Sequence, residues 1–303
     1  SNNSSIVGGI SGSIYSGSSY SFIGGGHGNY IENGNEDAIV GGFENKINVS
    51  YSGSYLEDGD DIIDFTTLFQ PVEYSFIGGG QFNFFAGDRN TGDVPSYGAI
   101  AGGYGNSIRA GEYSAILGGK QNNIRGSYST IIGGFSNFIN NTSSGSFIGG
   151  VYIGYINDSD YSAVVGGWRN RILSSEFSFI GGGKGSQIGG DNVAQYQINR
   201  SPFSAIVGGW ANTILGDFTE GQFQSSGSFI GAGINNSIRY SPHAIIAGGK
   251  NNQVGDFNGN AVRSSSRGSS ILGGEENSIF ASEESFIGGG VENTIGVKSS
   301  AVT

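Results

Sequence analysis

An eleven-residue unit recurs about fifteen times in this chain of 303 residues, and few folds accommodate such a pattern. It reads Ser, Phe or Ala, Ile, Gly or Val, Gly, Gly, two variable residues, Asn, one variable residue, Ile. Clear copies are SFIGGGHGNYI from Ser21, SAILGGKQNNI from Ser114, SAVVGGWRNRI from Ser162 and SFIGGGVENTI from Ser285. Where no insertion intervenes, the third-position residues stand about 15 to 17 residues apart. That period is too short for a helix pair and too long for a heptad. Each copy offers a short Ile-containing strand, a glycine turn, a second short apolar segment and another turn. The expected fold is all-β, a parallel β-solenoid of about fifteen coils with about 16 residues per coil. Coils stack at about 4.8 Å, which predicts a rod roughly 70 Å long. Residues 1–303 read as one continuous repeat domain.

Three positions have a clear physical role. The paired glycines, Gly79 and Gly80 in one copy, supply a positive-φ turn or a close backbone approach. Asn occupies position nine in twelve copies, for example Asn29, Asn45, Asn122, Asn170 and Asn293. Stacked Asn side chains can hydrogen-bond from coil to coil, and Asn also tolerates turn geometry. Position eleven is Ile except where Phe85 and Val254 stand in, and with position three it is expected to fill the interior.

Alternation along a strand puts positions two and four on the opposite face from position three. That outward face is apolar too. Phe22, Phe76, Phe147, Phe179, Phe229 and Phe286 at position two are each followed by glycine at position four, and smaller residues at position two are followed by larger ones or at least not by glycine, such as Ala38 with Val40. Compensation of volume is expected at a packed surface. Six solvated phenylalanines would forfeit about 1.5–3 kcal/mol each. An aromatic residue often precedes the unit, as at Tyr74, Tyr97 and Phe177, and widens the stripe. The expected solution is a homo-oligomer packed through these phenylalanines, three parallel chains in the first instance. Cover by the chain's own insertions is the alternative.

Long insertions fall at one corner, after position eleven: 48–73, 86–96, 189–202, 215–226 and 255–267. The first carries LEDGDDIID. It reads first as a solvated acidic loop, with Ca2+ binding at Asp58, Asp60 and Asp61 as the alternative, although the spacing fits no EF-hand. Aromatic residues at position seven, Trp168 and Trp210 among them, suit either stacking on sugars or packing between coils. Sequons at Asn48, Asn140, Asn141, Asn157 and Asn235 are candidate N-glycosylation sites and suit an extracellular surface.

Composition excludes several classes. A net charge of −11 argues against nucleic acid, which needs clustered Lys and Arg. No apolar run approaches the roughly 18 residues of a membrane helix. There is no cysteine, hence no disulfide framework or thiolate metal site. The two histidines, His27 and His243, have no obvious catalytic partner, and no zinc spacing or phosphate loop occurs. No catalytic residue and no cofactor is expected.

SFIGGG and SAIVGG followed by N-x-I resemble the head repeats of YadA-type trimeric autotransporter adhesins, and longer variants of that repeat in phage tail fibres and bacterial surface fibres. The resemblance covers nearly the whole chain and concerns architecture. It implies a trimeric left-handed β-roll displayed outside the cell or on a virion, with host attachment. The period of about 16 departs from the family's about 14, and no binding residue carries over. Ser300-Ala301-Val302 reads as the start of another copy, so the array is expected to continue or to stack head to tail.

Together these readings predict a non-enzymatic structural component of an extracellular fibre, with attachment to host or surface polysaccharide. The rivals are a tailspike-like polysaccharide depolymerase using carboxylates such as Asp60 and Asp61, and a carbohydrate-binding module using Trp168 and Trp210.

Overall fold

A computed structural model describes residues 3–15, 17–47, 72–87, 95–190, 200–216, 225–255 and 265–296. These residues form an all-β parallel solenoid with no helix among them, built from two parallel sheets of fifteen strands each. They divide into two compact units, Ser1–Gly145 and Ser146–Thr303.

Every coil contributes one short strand to each sheet. Positions two and three lie in the first sheet, for example Phe76–Ile77, and positions ten and eleven in the second, for example Asn123–Ile124. Pairing keeps like positions in register: Ile100 opposes Ile116, and Ile108 opposes Ile124. Parallel strands of identical pattern put Ile over Ile, and this fills the interior. Ile23, Ile77, Ile116, Ile180 and Ile246 from one sheet, and Ile31, Ile108, Ile172 and Ile238 from the other, are all fully buried. Phe85 replaces Ile at position eleven and is also fully buried. Its bulk is accommodated at Gly98, where a Cβ would lie 2.5 Å from the ring.

The insertions leave the register intact. Across residues 48–71 Ile39 still opposes Ile77, and Lys46 opposes Phe84. The expected boundaries overran by a few residues. Val72–Glu73 pair with Gly34–Asn35, Leu215 closes a strand, and Ser201, Ser225 and Ser266 are buried in the solenoid wall. Hydrogen bonding to the adjacent coil claims these flanks.

Polar ladders carry the corners. In the first unit Asn45, Asn83, Asn106, Asn122 and Asn137 each donate a backbone N–H, at 3.0–3.1 Å, to Oδ1 of the preceding asparagine. Each Nδ2 donates to a glycine carbonyl four residues back, as from Asn122 to Gly118 at 3.0 Å. The asparagines are buried and do not adopt the left-handed turn conformation. Position eight does so instead, with φ 57° at Phe82 and 55° at Arg169. Serines form a second set of ladders: Ser129 N–H donates to Ser114 Oγ at 3.1 Å, and Ser201 N–H to Ser175 Oγ at 2.9 Å. Buried polar atoms must be paired, and stacking identical coils pairs them by repetition.

Position nine lacks Asn at Gly12, Gly154 and Ser186, and the last leaves a hydroxyl unpaired. Ser186 stands where Asn would; its N–H reaches Asn170 Oδ1 at 3.0 Å, but its own Oγ is buried without a partner. Ser186→Asn is expected to extend the ladder and stabilise the second unit by about 1 kcal/mol. Denaturant titration checks this, and a loss of stability would show that the rung has no room for the longer side chain.

Candidate interaction surfaces

The outer face of the first sheet is apolar and exposed in both units. Positions two and four carry no charged residue in any copy. Among the six phenylalanines, Phe76 is 41% exposed, Phe179 39%, Phe229 36% and Phe286 59%, while Phe22 and Phe147 are half-buried. Val40, Leu117, Ile132, Val165, Val207 and Leu272 at position four are exposed as well.

Phe–Gly pairing has a local cause. A Cβ on Gly78 would lie 2.5 Å from the Ala101 carbonyl oxygen of the next coil and 3.4 Å from the ring of Phe76. Gly24 and Gly181 stand likewise, with the rings of Phe22 and Phe179 at 3.2 and 3.1 Å. These rings lie across the glycine of their own coil, so the volume compensation noted in the sequence is met within one chain there. What remains unmet is the outer surface of the rings. No Phe has a Phe beside it in the stack: Phe76 lies between Ala38 and Ala99, and Phe179 between Ala163 and Ala205. The face is therefore ridged where Phe and Ala alternate, as from Phe147 to Phe229, whereas Ala99, Ala115 and Thr130 follow one another and Phe229 lies beside Ile245.

An aromatic ladder borders this face. Tyr74, Tyr97, Tyr113 and Tyr128 stack with centroids 4.7, 4.7 and 5.2 Å apart; in the second unit Tyr161, Phe177 and Phe203 stack at 5.2 Å. All of them hold positive φ, between 51° and 58°. A non-glycine residue there costs about 1–2 kcal/mol, and stacking returns about 0.5–1.5 kcal/mol. Other coils place Gly145, Gly227 and Gly268 at this position.

The outer face of the second sheet differs. In the second unit its outward positions include Arg171, Gln187, Thr213, Ser237, Gln253, Ser278 and Thr294. In the first unit Phe84 and Phe138 occur there, but guanidinium groups cover them: Arg109 lies 5.1 Å from the Phe84 centroid and Arg125 5.5 Å from that of Phe138. Such lids keep an aromatic ring from water while the charge stays hydrated. The first sheet's phenylalanines have no counterpart to these lids at positions two and four.

A third feature is the ridge of position-seven side chains between the sheets. Trp168 and Trp210 do not form a bare pair. Lys184 lies between them, its Nζ 4.2 Å from one centroid and 5.1 Å from the other, and Arg169 lies 5.0 Å over Trp168. Tyr104, Lys120 and Phe135 repeat the sandwich in the first unit at 5.2 and 5.8 Å. These lysines were legible as residues, but not as partners of rings a whole coil away.

The remaining candidates are dispersed. Asp58, Asp60, Asp61 and Asn48 lie outside the described residues, as does Ser300-Ala301-Val302. Among the described residues no group of three or more His, Asp or Glu side chains could hold a metal ion. His27 stacks on Phe43 at 4.9 Å, and His243 lies against Gly227. Asn141 and Asn235 are exposed, and Asn140 and Asn157 are half-buried. Among the described residues Asp37 is the one strongly perturbed carboxyl: burial, offset in part by the Ser75 N–H and reinforced by Glu73, pushes it up to about 8. The serine ladders, missed in the sequence reading, had a signal in the S-x-x-S spacing, as at Ser159 and Ser162 or Ser175 and Ser178. The chain matches no model of a known family, and a comparison with curated proteins gives no match.

Proposed function

We propose that this chain is a structural, non-enzymatic component of an extracellular or virion-surface fibre, in which copies of the chain pack against one another through the outer face of the first sheet. The observation that carries this reading is the contrast between the two outer faces. One is polar or lidded by arginine at most of its outward positions, with Phe280 an exception; the other presents exposed, uncharged side chains coil after coil. Contiguous apolar surface of that kind marks an interaction site. Its occupant is best taken as a second copy, because Phe and Ala alternating from Phe147 to Phe229 make a stretch whose ridges fit the furrows of an identical stretch. Three chains about one axis is the arrangement that the resemblance to trimeric adhesin and tail-fibre repeats favours, with attachment to surface glycans as its use.

Phe179→Asp with Phe229→Asp tests the packing. Both side chains are exposed in the isolated chain, so the β-structure is expected to survive while two desolvated charges abolish association. Sedimentation of the wild type as an oligomer and of the double variant as a monomer with unchanged circular dichroism is the expected result. A wild type that sediments as a monomer at high concentration would rule the reading out.

A further inference from the structure

We propose that the position-seven ridge of the second unit, centred on Trp168, Lys184 and Trp210, is a docking strip for a linear anionic polysaccharide. This names the ligand class for the glycan attachment proposed above and rests on that reading for the ligand's source.

The first support is charge. The chain carries 25 acidic against 14 basic residues. Yet at the outward positions seven, eight and ten, six successive coils from Tyr152 to Gln253 hold four cations and no carboxylate: Arg169, Arg171, Lys184 and Lys250. Acidic residues begin only in the next coil, where Glu275 pairs with Lys250. Arg169, Arg171 and Lys184 thus gather on two adjacent coils of an otherwise acidic protein, and Arg169 and Lys184 are exposed.

The second support is how those charges are held. Trp168 and Trp210 fix the Lys184 ammonium, and Trp168 also fixes the Arg169 guanidinium. A ring orders a cation without neutralising it, unlike a carboxylate. The side chains therefore lose little freedom when an anion arrives, and binding costs less. Lys120 supplies the comparison: it is sandwiched in the same way between Tyr104 and Phe135, but its neighbours at position eight are Gly105 and Gln121. That copy shows what the sandwich does for turn packing alone.

A polymer fits better than a single anion, because cations on successive coils reward a ligand that repeats its charges. Single-stranded nucleic acid fits worse. Its bases need open aromatic faces, and cations already lie over Trp168.

Affinity electrophoresis through gels containing polygalacturonate, heparin or uncharged dextran tests the strip, with sedimentation run on the same samples. Wild type is expected to be retarded by an anionic polymer and not by dextran. Arg169→Gln with Lys184→Gln should weaken retardation at least tenfold with the β-sheet circular dichroism retained, whereas Lys120→Gln should leave it intact. Absence of retardation, equal loss with Lys120→Gln, or stronger retardation by dextran, polyglutamate or oligo-dT would overturn the proposal. A monomer that is still retarded refutes the fibre packing and leaves the strip standing; an oligomer that is not retarded does the reverse.

Discussion

Replacing Gly80 with alanine is expected to destabilise the first unit by about 2–5 kcal/mol, while the same change at its neighbour Gly79 is expected to be neutral. Gly80 has φ 86°, and a Cβ there would lie 2.3 Å from the Gly103 carbonyl oxygen of the next coil and 2.7 Å from Asn83 Nδ2. The larger figure adds left-handed strain of about 1–2 kcal/mol to an overpacking cost of about 1–3 kcal/mol. Neither contact can yield: one atom belongs to the coil-to-coil backbone ladder and the other to the asparagine ladder. Gly79 meets nothing within 4 Å, and Ala232 already occupies the equivalent position in another coil. Alanine there removes unfolded-state freedom without a native cost, so a small gain is in range. Equal melting temperatures for the two variants would mean that the two glycines are interchangeable and that the close approach assigned to Gly80 is wrong.

The second large effect is a pH dependence from Asp37. It occupies position one, where twelve of the other fourteen coils have Ser, and is 1% exposed. Its Oδ1 accepts the Ser75 N–H at 2.8 Å, but Oδ2 is buried without a partner, in a space left by Gly34. A serine hydroxyl at this position donates to a carbonyl, as Ser114 does to Gly126 at 3.0 Å; an ionised carboxylate has no proton to give. Burial therefore pushes Asp37 from 3.8 up to about 8. The folded form keeps its proton where the unfolded chain has lost it. Asp37's contribution to stability is complete below about pH 4 and declines by about 1.4 kcal/mol per unit until the folded carboxyl also ionises near pH 8. Asp37→Ser and Asp37→Asn, which need no protonation, are expected to gain on the wild type between those limits, by several kcal/mol at pH 8. The check is the difference between wild type and variant across pH, since other carboxylates tilt both curves alike. Parallel curves would show that Asp37 is ionised in the fold.

Much of this architecture was readable from spacing. Ile at positions three and eleven points inward because a strand alternates its faces, so a repeat with apolar residues at both positions defines two walls and a core. The outward phenylalanines followed from the same alternation. The left-handed corners did not: Tyr, Phe, Glu, Arg and Ala hold positive φ here, residue types that give no such signal. They do so because hydrogen bonds from the adjacent coil hold the backbone, as Tyr97 N–H donates to the Glu73 carbonyl at 2.9 Å.

The amino-acid sequence alone determined the number of coils, their register, the corner that receives insertions and the apolar character of the first sheet's outer face. These depend on periodicity, which is local and repeats along the chain. Only the tertiary structure decided which glycine is indispensable, which carboxyl lacks a partner, and which lysine lies between which two rings. Those facts arise from contacts between residues 16 to 38 positions apart, brought together by stacking, and a side chain's neighbours across coils do not exist until the coils are laid on one another.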